Sequence, residues 1–361
     1  MYRFLVLFLL GLHLAFAQNY LDPGKEFSGW MAKETDQRLK FSGEFRWRMD
    51  TRTGVNFGRD PDLDNPLFRT RLGVEVQATN WLKLSAMTQD ARAPLYGTAA
   101  PATVRNPLDL YESYAEFFAD RKTGFGAVVG RQRLNFGETR LLGVPDWSNV
   151  ARSYDTVRTY YRLRRARLEF LFLSPVKVRV DGFDRPVLGD RVWGFYHSFP
   201  ELLGKGVVEA YVLRHDQNRA GGFAGTGRLR INNYGGRLVG PLPASLRYSI
   251  ETAVQEGDVG IRSHRAFAWF SSVSRAVKWR WPVTLSAEYK YASGSSNPAG
   301  PRSETFDQLY PANHDKFGHA DLFGWRNIHN VRALTTFQPN KRWALNLMYN
   351  NNWLASARDA L

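Results

Sequence analysis

Residues 38–50 read Arg-Leu-Lys-Phe-Ser-Gly-Glu-Phe-Arg-Trp-Arg-Met-Asp. Leu39, Phe41, Phe45, Trp47 and Met49 hold the odd positions; Arg38, Lys40, Glu44, Arg46, Arg48 and Asp50 hold the even ones. Successive side chains of a strand point to opposite faces, so this stretch is a strand with one apolar and one charged face. The same period of two recurs in 68–78, 246–255, 283–291 and 343–350. About fifteen such segments fall between residues 38 and 354, spaced about 20 residues apart with their loops. None sustains a helical period, and no linker or second domain interrupts them.

The connections alternate in length. Short ones fall at 79–80, 119–124, 163–166, 240–243 and 338–341; long ones at 53–66, 91–107, 136–153, 175–190, 214–227 and 294–326. Short periplasmic turns and long extracellular loops are the habit of outer-membrane barrels. Trp47, Trp81, Tyr161, Trp193, Trp279, Trp281, Tyr291, Trp343 and Trp353 sit near strand ends, as interfacial girdles require. A soluble β-sandwich would alternate in its strands too, but need not keep its loops in phase. In lipid every backbone N–H and C=O must be paired, which a closed barrel achieves. The expected fold is therefore all-β, an antiparallel transmembrane β-barrel over residues 38–361. A polar interior and polar loops account for a mean hydropathy of −0.40.

The first residues suggest how such a chain reaches the outer membrane. Arg3, the apolar run Phe4 to Leu14 and Ala15-Phe16-Ala17 have the order of a secretory leader with an A-x-A cleavage site, so 1–17 is read as a signal peptide. Residues 18–37, polar with Pro23 and Gly24, are read as a periplasmic lead-in. The chain carries 49 Lys and Arg against 34 Asp and Glu, a formal charge of +15, and no cysteine. Absence of Cys excludes disulfides, thiolate metal sites and a cysteine nucleophile. Export makes nucleic acid a poor partner for this charge and leaves anionic solutes and the lipid and lipopolysaccharide of the outer membrane.

The polar phase of the strands gives the interior. It holds Arg46, Arg48, Arg69, Arg71, Lys83, Arg131, Arg133, Arg158, Arg162 and Arg247, with Glu44, Asp50, Glu75, Glu112, Glu116, Glu251 and Glu288 among them. A water-filled pore with an excess of one sign concentrates the opposite ion, and the planar arginine fork binds carboxylate or phosphate bidentately. Taken singly, each of these arginines could instead brace the wall against a neighbouring acid.

Two stretches carry a resemblance. Gly130-Arg131-Gln132 is followed by Gly137, Arg140, Gly143, Trp147, Asn149, Arg152, Tyr154-Asp155 and Arg158; later come Phe306-Asp307-Gln308-Leu309-Tyr310-Pro311, Asn313-His314-Asp315, Gly318, Asp321 and Gly324-Trp325-Arg326-Asn327. Together they resemble the alginate-export outer-membrane family over essentially the whole mature chain. The resemblance implies a monomeric barrel of about 18 strands with an arginine-lined constriction. It also implies passive export of a polyuronate handed over from the periplasm by an export partner. It brings Arg131, Arg152, Arg158 and, more weakly, Arg46, Arg48, Arg69 and Arg71 into the constriction, with Asp155 as the acid that orients the arginines. A family does not fix a substrate, so a general anion-selective porin for small acids or phosphate stays as the alternative.

Members of that family continue for about three more strands and end on an aromatic residue. Here the chain stops at Ser356-Ala357-Arg358-Asp359-Ala360-Leu361 after an odd number of strands, so the barrel is expected to be incomplete at its C-terminus. Other chemistry is weaker. His314, Asp315, His319 and Asp321 match no metal-ligand spacing, although Asn313, Asp315 and Asp321 offer hard oxygens to a calcium ion. No G-x-S-x-G surrounds any serine, which disfavours an outer-membrane hydrolase. The expectation is a channel without enzyme activity, metal or cofactor.

Overall fold

The computed structural model describes residues 13–16, 33, 35–36, 38–54, 63–120, 123–218 and 227–359. The leader, apart from 13–16, and nearly all of the lead-in lie outside these residues. The described residues contain fifteen long strands. They are β1 (Leu39–Arg52), β2 (Leu63–Gln77), β3 (Leu82–Arg92), β4 (Asn106–Phe118), β5 (Gly124–Gln132), β6 (Tyr154–Leu163), β7 (Ala166–Lys177) and β8 (Asp190–Pro200). There follow β9 (Val207–Gln217), β10 (Leu229–Leu242), β11 (Leu246–Val259), β12 (Arg262–Lys278), β13 (Pro282–Ala292), β14 (Ile328–Asn340) and β15 (Trp343–Leu354). Each pairs antiparallel with the next, from β1–β2 through β14–β15, in one sheet of outer-membrane barrel type. A short strand, His13–Phe16, pairs antiparallel with Trp343–Asn346 on the side of β15 away from β14.

The period of two decides which way the sheet faces. Phe45, Trp47, Leu72, Phe125, Phe195, Val212, Tyr234, Val254 and Phe267 are exposed, while buried Arg69, Arg71, Gln132, Glu169, Glu209 and Glu251 lie on the opposite phase. In water this apolar surface would cost about 25 cal/mol for each Å² left exposed; against acyl chains it costs nothing. Trp47, Trp81, Tyr161, Trp193, Trp279, Trp281, Trp343 and Trp353 are all exposed, as a girdle requires.

At one end all connections between long strands are short, such as 164–165 and 341–342; at the other they are mostly long. One connection at the long-loop end breaks the alternation. Val259 pairs directly with Arg262, so Gly260-Ile261 is a two-residue hairpin, with Gly260 at φ +63°. A positive φ at the first turn residue is the type II′ requirement, which glycine meets without strain.

The Gly130-Arg131-Gln132 motif also has a steric reason. Gly130 has φ +125°, and a Cβ there would lie 2.2 Å from the Ser113 carbonyl oxygen of β4. Gly130→Ala should therefore push β5 from β4 and lower the temperature at which the folded, heat-modifiable gel band converts. Conversion at the parental temperature would show that the strands shift without cost.

Candidate functional site

The inner face of the first two strands is set by their register. Arg46 lies opposite Arg69, and Glu44 opposite Arg71. Like charges placed directly across a ladder repel, so something must compensate. Part of it is Glu44, whose carboxylate accepts from Arg69 Nε at 2.6 Å and from Arg71 Nη1 at 3.3 Å. Gln89 on β3 accepts from Arg71 Nε at 2.8 Å.

The rest comes from the connection after β5. Residues 133–153 turn inward and lay 146–148 on the arginines. The Asp146 carboxylate accepts from Arg71 Nη1 at 2.8 Å and Arg69 Nη2 at 3.3 Å. The Asp146 carbonyl accepts from Arg46 at 2.9 Å and Arg69 at 3.1 Å, and the Ser148 carbonyl from the same two at 2.8 and 3.1 Å. The Trp147 carbonyl accepts from Arg48 at 2.6 Å, and the Arg48 guanidinium lies 4.4 Å from the centre of the Trp147 ring. Asn149 pins the loop by donating to the carbonyls of Phe68, Arg92 and Val104.

The side chains of Arg69 and Arg71 are only 2–3% exposed. Buried charges persist only when paired and hydrogen-bonded, and here Arg69 and Arg71 share two carboxylates, Glu44 and Asp146, while Arg46 and Arg48 are held by loop carbonyls. The patch keeps a charge of 4 − 2 = +2. Burial works to raise the pKa of the Asp146 carboxyl, but Arg71 and Arg69 outweigh it and hold the carboxyl below its ordinary value.

The same loop reaches the far wall. Arg140 pairs with Glu251 of β11 at 2.8 Å, and its guanidinium lies 3.4 Å from the centre of the Phe270 ring. Glu138 pairs with Arg237 of β10 at 3.1 Å. A second inward connection, 293–327, packs beside it. Leu142 and Tyr310 form a β-bridge, and Trp147 stacks on His314 with ring centres 4.2 Å apart. His314 in turn bonds Asp321 at 2.8 Å. Phe306, Leu309, Phe317 and Trp325 join Leu134, Leu141 and Leu142 in one apolar core against Leu171, Leu173, Leu213 and Phe270 of the wall. The middle of β7–β12 thus faces a packed core, where the sequence reading expects a polar, water-filled interior.

The eight residues singled out from sequence fall into three groups. Arg46, Arg48, Arg69 and Arg71 come together on one patch. Arg152 and Arg158 point inward but brace. Arg152 donates to the Gly143 and Pro311 carbonyls, joining the two inward loops. Arg158 donates to Glu169 and Gln132 and lies over Phe136. Arg131 and Asp155 correct the sequence reading of an interior pair. They are directly cross-strand and bond at 2.8 and 3.2 Å, but on the strand phase of exposed Phe125, Val129, Val157 and Tyr161, which is the outer face. Gln132 and Tyr154 beside them take the inner face.

The residues missed are Asp146 and its neighbours. They sit in a loop, where no period tells inward from outward. Pro145 and Asp146 amid the apolar Leu141, Leu142, Val144, Trp147 and Val150 were the available sign that 141–150 is not a solvated loop.

Comparison with known proteins agrees with this architecture. OccD3 (OpdP) of Pseudomonas aeruginosa superposes with a TM-score of 0.58 at 13% identity, over 87% of this chain and 71% of that one. Pseudomonas putida OprB gives 0.45 at 8% identity, over 91% and 96%. No curated protein matches the sequence. Residues 37–361 match the family described as Alginate export, which takes in every long strand and both inward loops, and the chain accordingly belongs to the alginate-export family of outer-membrane channels.

Proposed function

We propose that this outer-membrane channel passes anionic solutes by diffusion, with an acidic polysaccharide of the polyuronate class as its cargo, past the patch of Arg46, Arg48, Arg69 and Arg71. The observation that supports it best is the way these four arginines hold residues 146–148. The three carbonyls of one turn, Asp146 to Ser148, and one carboxylate are gripped by guanidinium donors, as a uronate's carboxylate and hydroxyls would be. The chain's own Asp146 stands where a ligand carboxylate would stand. Family membership favours a uronate polymer over small acids or phosphate, which remain the second reading. Export through a leader ending at Ala17, action as a monomer and receipt of cargo from a periplasmic partner belong to the same proposal. The outer-face pair Arg131–Asp155 then has a structural role.

The test is a reversal potential across a planar bilayer under a salt gradient. The channel should prefer anions, and the preference should fall at 1 M salt, where screening shortens to about 3 Å. Arg69→Gln with Arg71→Gln takes the patch from +2 to zero and should abolish most of the preference. An unchanged reversal potential would reduce these arginines to wall bracing. Current block by an oligouronate, but not by its neutral glycan counterpart, separates the polyuronate channel from the general porin.

A further inference from the structure

We propose that the short-turn mouth carries its own capture site for carboxylates, made by Arg38, Lys40, Lys83 and Arg162, and that this site loads an oligouronate into the barrel from that end. The proposal rests on the polyuronate reading above. It adds a second station on the path and gives the path a preferred direction.

The four cations line a cavity of about 280 Å³ beside the short turns, together with Glu75 and Glu116. Its balance is 4 − 2 = +2. Glu116 is already engaged: it accepts from Lys83 at 2.9 Å and from the Tyr160 hydroxyl at 2.7 Å, with Arg162 at 3.7 Å. Lys40 lies directly opposite Glu75 in the ladder, yet among the described residues neither Arg38 nor Lys40 forms an ion pair, and both are exposed. A charge in that state is available to a ligand at little desolvation cost. A cavity of this volume has room for a sugar residue.

Position along β1 links this site to the constriction. Arg38, Lys40, Arg46 and Arg48 share the inner phase, so the capture site and the arginine patch stand on one stripe about 20 Å apart, six strand residues from Lys40 to Arg46. A chain bearing a carboxylate on every sugar can hold the first station while its leading residues reach the second.

One cavity at the other mouth, of about 200 Å³, sets Arg262 and Arg326 against Asp307 and Asp359, with His215 and His264 beside them. The cations left without an acid at the short-turn mouth draw a polyanion to that end, through the focusing of the field by a low-dielectric wall.

Single-channel block by an oligouronate added to either side tests this with the full chain. The faster side is assigned with streptavidin on a biotinylated Asn340→Cys, which obstructs the short-turn mouth; the native chain has no cysteine to interfere. Blocking from the short-turn side should be on the order of tenfold faster. Lys40→Gln with Lys83→Gln should remove that difference, while Arg185→Gln in a long loop should leave it. Equal rates from both sides in the parent, or asymmetry that survives the double substitution, would overturn the capture site. Absence of block from either side would instead sink the polyuronate reading on which it rests.

Discussion

Replacing Asp146 by Asn should open the channel electrically. The side chain keeps its shape, and the carbonyls of 146–148 remain as acceptors for Arg46, Arg48 and Arg69. What is lost is one of the two carboxylates facing four guanidiniums, so the patch goes from +2 to +3. Anion over cation permeability should rise, and conductance at 0.1 M salt should increase about twofold, because screening there reaches only about 10 Å. At 1 M the gain should vanish. Acid should not imitate the substitution over the ordinary range. The carboxyl of Asp146 is held below its usual value, so the latch is complete above about pH 3.9 and is lost only as pH falls through the lower, folded value. Conductance of the parent should accordingly stay level from pH 7 to 5 as far as this contact is concerned. A steep rise in that window, absent from Asp146→Asn, would show that Asp146 titrates there and that the arginines do not hold it.

The fold was legible because a membrane barrel writes its geometry in the sequence. Each lipid-facing residue must be apolar and its strand neighbours face water or protein, and residues 38–50 and 246–255 obey this almost without exception. The arginine patch was legible for the same reason, since Arg46, Arg48, Arg69 and Arg71 sit on the charged phase of two strands. Where one phase has to be chosen at a strand end, the reading is fragile. Arg131 and Gln132 are both polar, and a shift of one residue exchanges the faces; the structure puts Gln132 inside, bonded to Arg158. Position in the interior beyond the strands was not legible at all. Phe170-Leu171-Phe172-Leu173 is apolar on both phases, which signals a strand covered on both faces. It cannot say that the covering comes from Leu141, Phe306 and Trp325 in loops far away in sequence.

The first of those loops is tied to the far wall by a buried ion pair, and its removal should have a large effect on stability. Arg140 and Glu251 meet at 2.8 Å with side chains only 8% and 6% exposed. Removing one partner of a buried pair leaves the other charged, buried and unpaired, at a cost of about 3–5 kcal/mol. Glu251→Ala would strand the Arg140 guanidinium against Phe270 and free the loop from β11. The second tie to that wall, Glu138 to Arg237, is far more exposed on the acid side, at 51%, and should contribute about 1 kcal/mol or less. The expected result is a folded gel band that converts at a clearly lower temperature, and single channels that flicker as the loop leaves the arginine patch. Arg140→Leu combined with Glu251→Leu removes both charges and should recover most of the loss, since apolar side chains suit the surrounding core of Leu141, Tyr211 and Phe270. If Glu251→Ala converts at the parental temperature and its current is quiet, the loop is anchored by its apolar core alone, and the Arg140–Glu251 pair is dispensable.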